Sequence, residues 1–442
     1  MRFNWYCTAA LLLVMSTSGH ESSFAVADDW PQWRGVNRDG VIDDARIGRD
    51  LPDAPVPREK MPRLWSVPVG AGYSGPTIAD GLVYLTDRQG EESAVTERVL
   101  CVDAKSGATV WEHSWPVAYE IGYQAAGPRA SVTVQDGRAY SVGGMGMFCC
   151  LDAADGTLIW SKDLNEVYDI RMPNWGITAA PLVHDGLVIQ IAAAEGACII
   201  AMDIESGEEV WRALDERAAY SAPILIRQGD SDVVVCWTGE SISGLNPRTG
   251  DVHWSIEMLP RNMPIGVPTP VVQGDKLFVS SFYDGSMLIQ LDQTKPAAKK
   301  LWHRIGRDEK NTDALHCMIS NPILKGDSIF GFDSYGELRC LDLATGDRIW
   351  ENLRIVPKLR WATVHTIRNG DDEIMLNDQG FLWVVTLTRK DVQPHDRVWL
   401  LDPTLKQLKR RNGVVWAHPA IADGKIFARS DNELVCASLL AK

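Results

Sequence analysis

The chain has 442 residues, more than one compact core of ordinary size holds, yet within reach of a single large β architecture. Its formal net charge of −14 disfavours a nucleic-acid partner, because docking onto phosphates needs a basic surface. Its nine cysteines are too sparse for a small disulfide-stapled fold, so packing must hold the molecule together.

Arg2 precedes an apolar run from Ala9 to Met15, and Ala25-Val26-Ala27 offers a small-x-small cleavage site. Together they predict a cleaved leader over residues 1–27, and therefore a periplasmic or secreted protein. The run stops at Ser16 to Glu21, well short of the roughly 20 apolar residues that span a bilayer, so no stable membrane insertion is expected. Cys7 stands before the run rather than after it, which argues against a lipid anchor. Residues 28–63, with Pro52, Pro55, Pro57 and Pro62, predict an extended strap lying over the rest of the fold. Within it, Asn37-Arg38-Asp39-Gly40 resembles part of a calcium loop, but Gly35 and Arg46 fall on ligand positions, so a turn is expected instead.

From Leu64 onward the sequence repeats. Trp65, Trp111, Trp160, Trp211, Trp254, Trp302, Trp350 and Trp399 recur at spacings of 46, 49, 51, 43, 48, 48 and 49 residues, the period of a propeller blade. In the clearest copy Pro322 opens a first strand, Gly326-Asp327 makes a hairpin turn and Ile329 to Phe332 form a second. Leu338 to Asp342 form a third, and Thr345-Gly346 turns into a fourth that ends at Trp350. The turn before each tryptophan is Asp103 to Gly107, Asp152 to Gly156, Asp203 to Gly207, Asn246 to Gly250 and Asp342 to Gly346. Its Asp or Asn bonds backbone N–H groups ahead and its Gly accepts positive φ, while Trp is expected to pack as a plate against the adjacent blade. The copies at Asp292 and Thr386 have lost the Gly and predict looser turns.

Leu64 to Val67 reads as a lone fourth strand, and the C-terminal copy from Pro419 to Ala437 has three strands and no tryptophan. Residues 64–442 therefore predict an all-β, eight-bladed propeller of four-stranded blades, the last blade closed by the N-terminal strand.

In such a ring the residues just before each first strand gather at one axial face. They include Arg129, Asn174, Trp175, Tyr220, His316, Asn321, Trp361, His365, Trp416 and His418. Aromatic, imidazole and guanidinium groups on a concave face suit a small polar ligand or a protein segment, although ordinary loop residues closing the channel would read the same way. Convergence of His316, His365 and His418 on a metal is sterically conceivable, but no metal is expected. The adjacent Cys149 and Cys150 could form a vicinal disulfide. Cys150 shares its place, two residues before the turn, with Cys101 and Cys340, which favours a small packed residue there. No haem, zinc-protease, phosphate-loop or hydrolase-elbow motif is present.

The run Gly336-Glu337-Leu338-Arg339-Cys340-Leu341-Asp342, continuing to Gly346 and Trp350, resembles the repeat of pyrroloquinoline-quinone (PQQ)-like propellers. Asp29-Trp30-Pro31-Gln32-Trp33-Arg34-Gly35 looks like the N-terminal signature of exported PQQ-like proteins of planctomycete-type bacteria. The resemblance implies either of two functions: a non-catalytic scaffold that binds a protein or ligand, as in BamB-like members, or a PQQ-dependent oxidoreductase acting on an alcohol or sugar. The dehydrogenases carry calcium-binding and catalytic carboxylates that do not map onto this chain, so the scaffold reading leads and no cofactor is expected, PQQ with calcium being the alternative.

Overall fold

The computed structural model describes residues 1, 29–52, 59–90, 94–119, 127–405 and 413–440. Apart from Met1, the expected leader lies outside the described residues. The chain forms eight sheets of strands running from the axis outward, consecutive in sequence except where an N-terminal strand joins the seventh and the eighth. The first blade comprises Thr77–Ala79, Leu82–Gln89, Thr96–Asp103 and Thr109–Pro116. In the eighth, Ala420–Ala422, Lys425–Arg429 and Glu433–Ser438 are completed by Arg63–Pro68, with Trp65 opposite Cys436. The N-terminal strand thus closes the ring, and the sixth-blade strands fall where the sequence placed them, Ser328–Phe332 and Leu338–Asp342. The one α-helix among the described residues is a single turn, Leu164–Tyr168, capped by Asp163.

Strand burial explains how the blades stack. The second strands are sandwiched between neighbouring blades, and Leu187–Ala194 is buried throughout. Fourth strands alternate instead, because one face of the outermost strand meets solvent: in Thr109–Pro116 only Trp111 and Trp115 are buried.

The tryptophans bind one blade to the next by a repeated device. The indole Nε1–H of Trp65, Trp111, Trp160 and Trp211 donates to the carbonyls of Ala104, Ala153, Ile204 and Pro247, each at 3.0 Å. Each acceptor is in the turn of the following blade. The turn glycine lies under the ring, so a Cβ at Gly107 would stand 2.8 Å from Trp65. Behind six of the eight rings the paired third-strand residue is small: Cys101, Cys150, Ala201, Gly244, Cys340 and Cys436 face Trp111, Trp160, Trp211, Trp254, Trp350 and Trp65, whereas Trp302 and Trp399 face Leu288 and Phe381. The cysteine positions therefore follow from room for an indole. Where the fifth-blade turn lacks its glycine, Trp254 donates instead to Gln228 Oε1 of its own blade, at 2.8 Å.

The N-terminal extension crosses the axial opening. Trp30 forms an antiparallel bridge with Ile78 of the first blade, and Pro31 O accepts the Val134 N–H of the second at 2.8 Å. Arg38 donates to the carbonyls of Ala180, Pro181 and Pro223 in the third and fourth blades, and Trp33 Nε1 donates to Thr269 Oγ1 of the fifth at 2.8 Å. Val41–Ile42 then adds a parallel strand to Val364–Asn369 of the seventh. Residues 29–42 act as a plug that ties these blades together.

Candidate functional site

Each blade contributes one residue to a ring around the axis. Tyr73, Arg129, Thr178, Tyr220, Val267, Ile319, Trp361 and Trp416 stand three residues before Pro76, Val132, Pro181, Pro223, Pro270, Pro322, Val364 and Pro419, where the first strands begin. With Trp175, Met318, Ala180 and Ala222 they line a cavity of about 110 Å³, and Trp33 of the plug lines it too. The repeat explains the convergence: identical strand starts at equal radius point eight side chains at one axis.

The walls are aromatic. Trp175 packs on Tyr220 with centroids 5.0 Å apart, and Tyr73 on Trp416 at 5.8 Å. Arg129 lays its guanidinium over the Tyr73 ring at 4.2 Å, a cation–π contact, and its Nε–H donates to Trp175 O at 2.9 Å. Its Nη2 has no hydrogen-bond partner, and among the described residues no carboxylate lies within ion-pair distance of it. Burial pulls the Arg129 pKa below its ordinary value and pushes the Tyr73 and Tyr220 hydroxyls up to about 12. The Trp175 Nε1 and Tyr73 hydroxyl are likewise buried without a hydrogen bond. The cavity is thus an apolar cage with a few unsatisfied polar atoms, chiefly donors, in its walls.

Of the residues expected at the axial face, Arg129, Trp175, Tyr220, Trp361 and Trp416 line this cavity. Asn174 lies beside it, exposed. Asn321 is buried in the wall, where Oδ1 accepts the Thr269 N–H at 2.7 Å and ties the sixth blade to the fifth. His316 sits away from the cavity, 1 % exposed: Nδ1–H donates to Phe282 O at 3.0 Å and Nε2 accepts the Gly306 N–H at 3.0 Å. Both ring nitrogens are committed to backbone, which fixes a neutral imidazole.

His365 and His418 lie deeper, with ring centroids 5.1 Å apart. His418 stacks on Trp30 at 6.1 Å and meets the edge of Trp33 at 5.3 Å, so the plug covers His418. Burial holds His365 down at about 4, and burial, the neighbouring His365 and Arg34 hold His418 well below the usual imidazole value. Among the described residues no group of three or more histidine, cysteine, aspartate or glutamate side chains is arranged to hold a metal. Cys149 and Cys150 are separate buried thiols on opposite faces of Met147–Asp152, packed into different core clusters. Burial pushes them up to about 12 and about 11.

Trp33, Val267, Met318 and Ile319 escaped the sequence reading. Counting back three residues from each strand-opening Pro would have found Val267 and Ile319, whereas Trp33 belongs to no repeat and its place depends on the path of the plug.

A family model described as outer membrane protein assembly factor BamB matches residues 95–352. No curated protein matches the chain in sequence. Among solved structures, BamB from Moraxella catarrhalis superposes with a TM-score of 0.56 at 17% identity, over 85% of this chain and 96% of that one. The quinohemoprotein alcohol dehydrogenase from Comamonas testosteroni gives 0.62 at 14% identity, over 95% and 81%. A europium-containing methanol dehydrogenase gives 0.61 at 13%, over 90% and 89%. At these identities the structural likenesses establish the propeller fold and nothing finer.

Proposed function

The chain belongs to this BamB family of PQQ-repeat propellers, and from that premise we propose that it is an exported, non-catalytic scaffold that binds a protein segment or small polar ligand in its axial cavity. The observation that carries the reading is the composition of the cavity wall. Calcium requires oxygen ligands, and proton transfer requires a titrating base. Among the described residues the lining supplies no carboxylate and no histidine, and the Thr178 hydroxyl is spent on Tyr220 O at 2.9 Å. The residues present therefore do not fit calcium-bound PQQ. They do fit recognition: large rigid aromatics around a buried guanidinium form a docking pocket. Periplasmic or secreted placement accords with the expected leader, and among the described residues no helix is long and apolar enough to cross a membrane. The second reading, a PQQ-dependent oxidoreductase acting on an alcohol or sugar, rests only on the propeller fold shared with the two dehydrogenases.

A titration with PQQ plus calcium, followed by melting temperature and absorbance, separates the two. No saturable shift is expected, and saturable stabilisation would overturn the scaffold reading. Trp33, Trp175, Trp361 and Trp416 make tryptophan emission a reporter of occupancy, so a panel of soluble peptides and small polar compounds can be screened directly. A genuine occupant of the cavity loses its emission response in Trp416→Ala.

A further inference from the structure

The first strands of all eight blades share one direction, so the axis has two distinct mouths. The aromatic cavity lies where those strands begin. Where they end, a groove of about 380 Å³ opens between the plug and the fourth to seventh blades, lined by Arg34, Arg38, Asp39 and Gly40 together with Arg227 and Arg368. We propose that this groove binds a doubly charged oxyanion, either inorganic phosphate or the phosphate of a small phosphomonoester, held by Arg34 and Arg368.

The charge balance points to an anion. Four guanidiniums line the groove against one carboxylate, Asp39, in a chain whose net charge is −14. Arg227 is neutralised by Asp232 at 2.7 Å. Arg38 is spent on structure, its donors going to Gln32 Oε1 at 2.8 Å and to three carbonyls in the third and fourth blades. Arg34 and Arg368 differ from both. Arg34 is 3 % exposed, gives one bond to Asp39 O at 2.7 Å, and leaves Nε and Nη1 without a hydrogen-bond partner. Arg368 gives one side-chain bond, to Leu324 O at 3.3 Å. Among the described residues neither is in an ion pair; Arg368 is half-buried, and Arg34 is an uncompensated buried cation, whose heavy desolvation penalty a bound anion relieves.

The backbone brings the two together. Gly40 N–H donates to Arg34 O at 2.9 Å, and Arg368 N–H donates to Gly40 O at 2.8 Å. Gly40 has φ +71°, and a Cβ there would stand 2.8 Å from Arg34 Nη2, so the glycine leaves room for the guanidinium. Arg34 itself is left-handed at φ +61°, a conformation a non-glycine residue holds only where its surroundings impose it. Guanidinium forks match the geometry of tetrahedral oxyanions, and the groove is larger than phosphate alone, leaving space for an organic remainder.

The test is a melting-temperature and 31P line-broadening titration of the full chain with inorganic phosphate, glycerol 3-phosphate, sulfate and chloride at fixed ionic strength. Saturable stabilisation by the dianions and not by chloride is expected. Binding should weaken at least tenfold in Arg368→Gln and stay unchanged in Arg248→Gln, which removes an equal charge from an exposed site paired with Asp185. Tighter binding of the ester assigns the groove to a phosphorylated small molecule, and tighter inorganic phosphate assigns it to the free ion. In the unmodified chain, phosphate should also protect Arg368 from phenylglyoxal, a readout independent of any variant's folding. Equal effects of chloride, undiminished binding in Arg368→Gln, or no protection of Arg368 would overturn the proposal. None of these results depends on the aromatic cavity at the other mouth.

Discussion

At the periphery of this ring six of the eight repeat tryptophans end on a carbonyl of the next blade, and each such indole hydrogen bond is satisfied. At the axis the accounting is reversed. Arg34, Arg129, Trp175, His365 and His418 all keep buried ring or guanidinium nitrogens without a hydrogen bond of good geometry. Buried polar groups are normally paired, so the outer girdle reads as a part optimised for cohesion and the axis as a part that tolerates cost for another purpose. Stability should therefore respond to changes outside, and binding or pH response to changes inside.

Removing the closing strand Arg63–Pro68 is the most severe test of cohesion. It exposes the ladder of Glu433–Ser438 and strips Trp65 from the first blade, and calorimetry should show loss of the single cooperative transition. Trp111→Ala deletes one regular joint and should cost about 3–5 kcal/mol by denaturant unfolding. Gly156→Ala places a Cβ 2.6 Å from that ring at φ +76°, and a double-mutant cycle with Trp111→Ala should show coupling of about 1 kcal/mol or more. Additive costs would mean that the turn and the ring do not act as one joint.

The inner region is sharpened by acid. His365 titrates near 4 when folded and near the ordinary imidazole value when unfolded, so the unfolded chain binds the extra proton between those values. Stability is present in full above about pH 6.5 and falls as pH drops towards 4, by about 2 kcal/mol at pH 5 for a shift of this size. His365→Phe should flatten that slope in pH-dependent melting. The smallest effect on stability is expected from Arg129→Met: within about 1 kcal/mol of the parent, or slightly stabilising, because an unpaired buried cation is replaced by an apolar chain. Cavity ligands should nevertheless be lost in this variant. A large loss of stability would show that Arg129 serves the fold rather than the site.

The two regions also differed in how far they could be read. Blade boundaries, the closing strand and the turns from Asp103 to Gly107 and from Asp342 to Gly346 were legible because period, turn chemistry and tryptophan spacing are local properties repeated many times. The axial ring was partly legible, since Arg129, Trp175, Tyr220, Trp361 and Trp416 precede first strands in the expected manner. His316 stands six residues before Pro322 rather than three, and its ring is held by Phe282 O and the Gly306 N–H. His365 and His418 were flagged as face residues, yet His365 packs on His418 and the indoles of Trp30 and Trp33 cover His418 from a segment more than 300 positions away. No local pattern encodes that contact. The groove arginines went unnoticed for the same reason, Arg34 and Arg368 being brought together by the crossing of the plug.

The latch at the eighth blade also imposes an order of events on synthesis. Arg63 and its partner Glu433 are 370 positions apart, so the strand that completes the disc leaves the ribosome early and must wait for almost the whole chain. Until then it is an unpaired hydrogen-bonding edge, and the final closure is the most non-local strand pairing among the described residues, a slow step on topological grounds. Folding of this ring should end as a clasp does, with seven blades assembled before the last is made, and the interval before closure is when a chaperone would matter most.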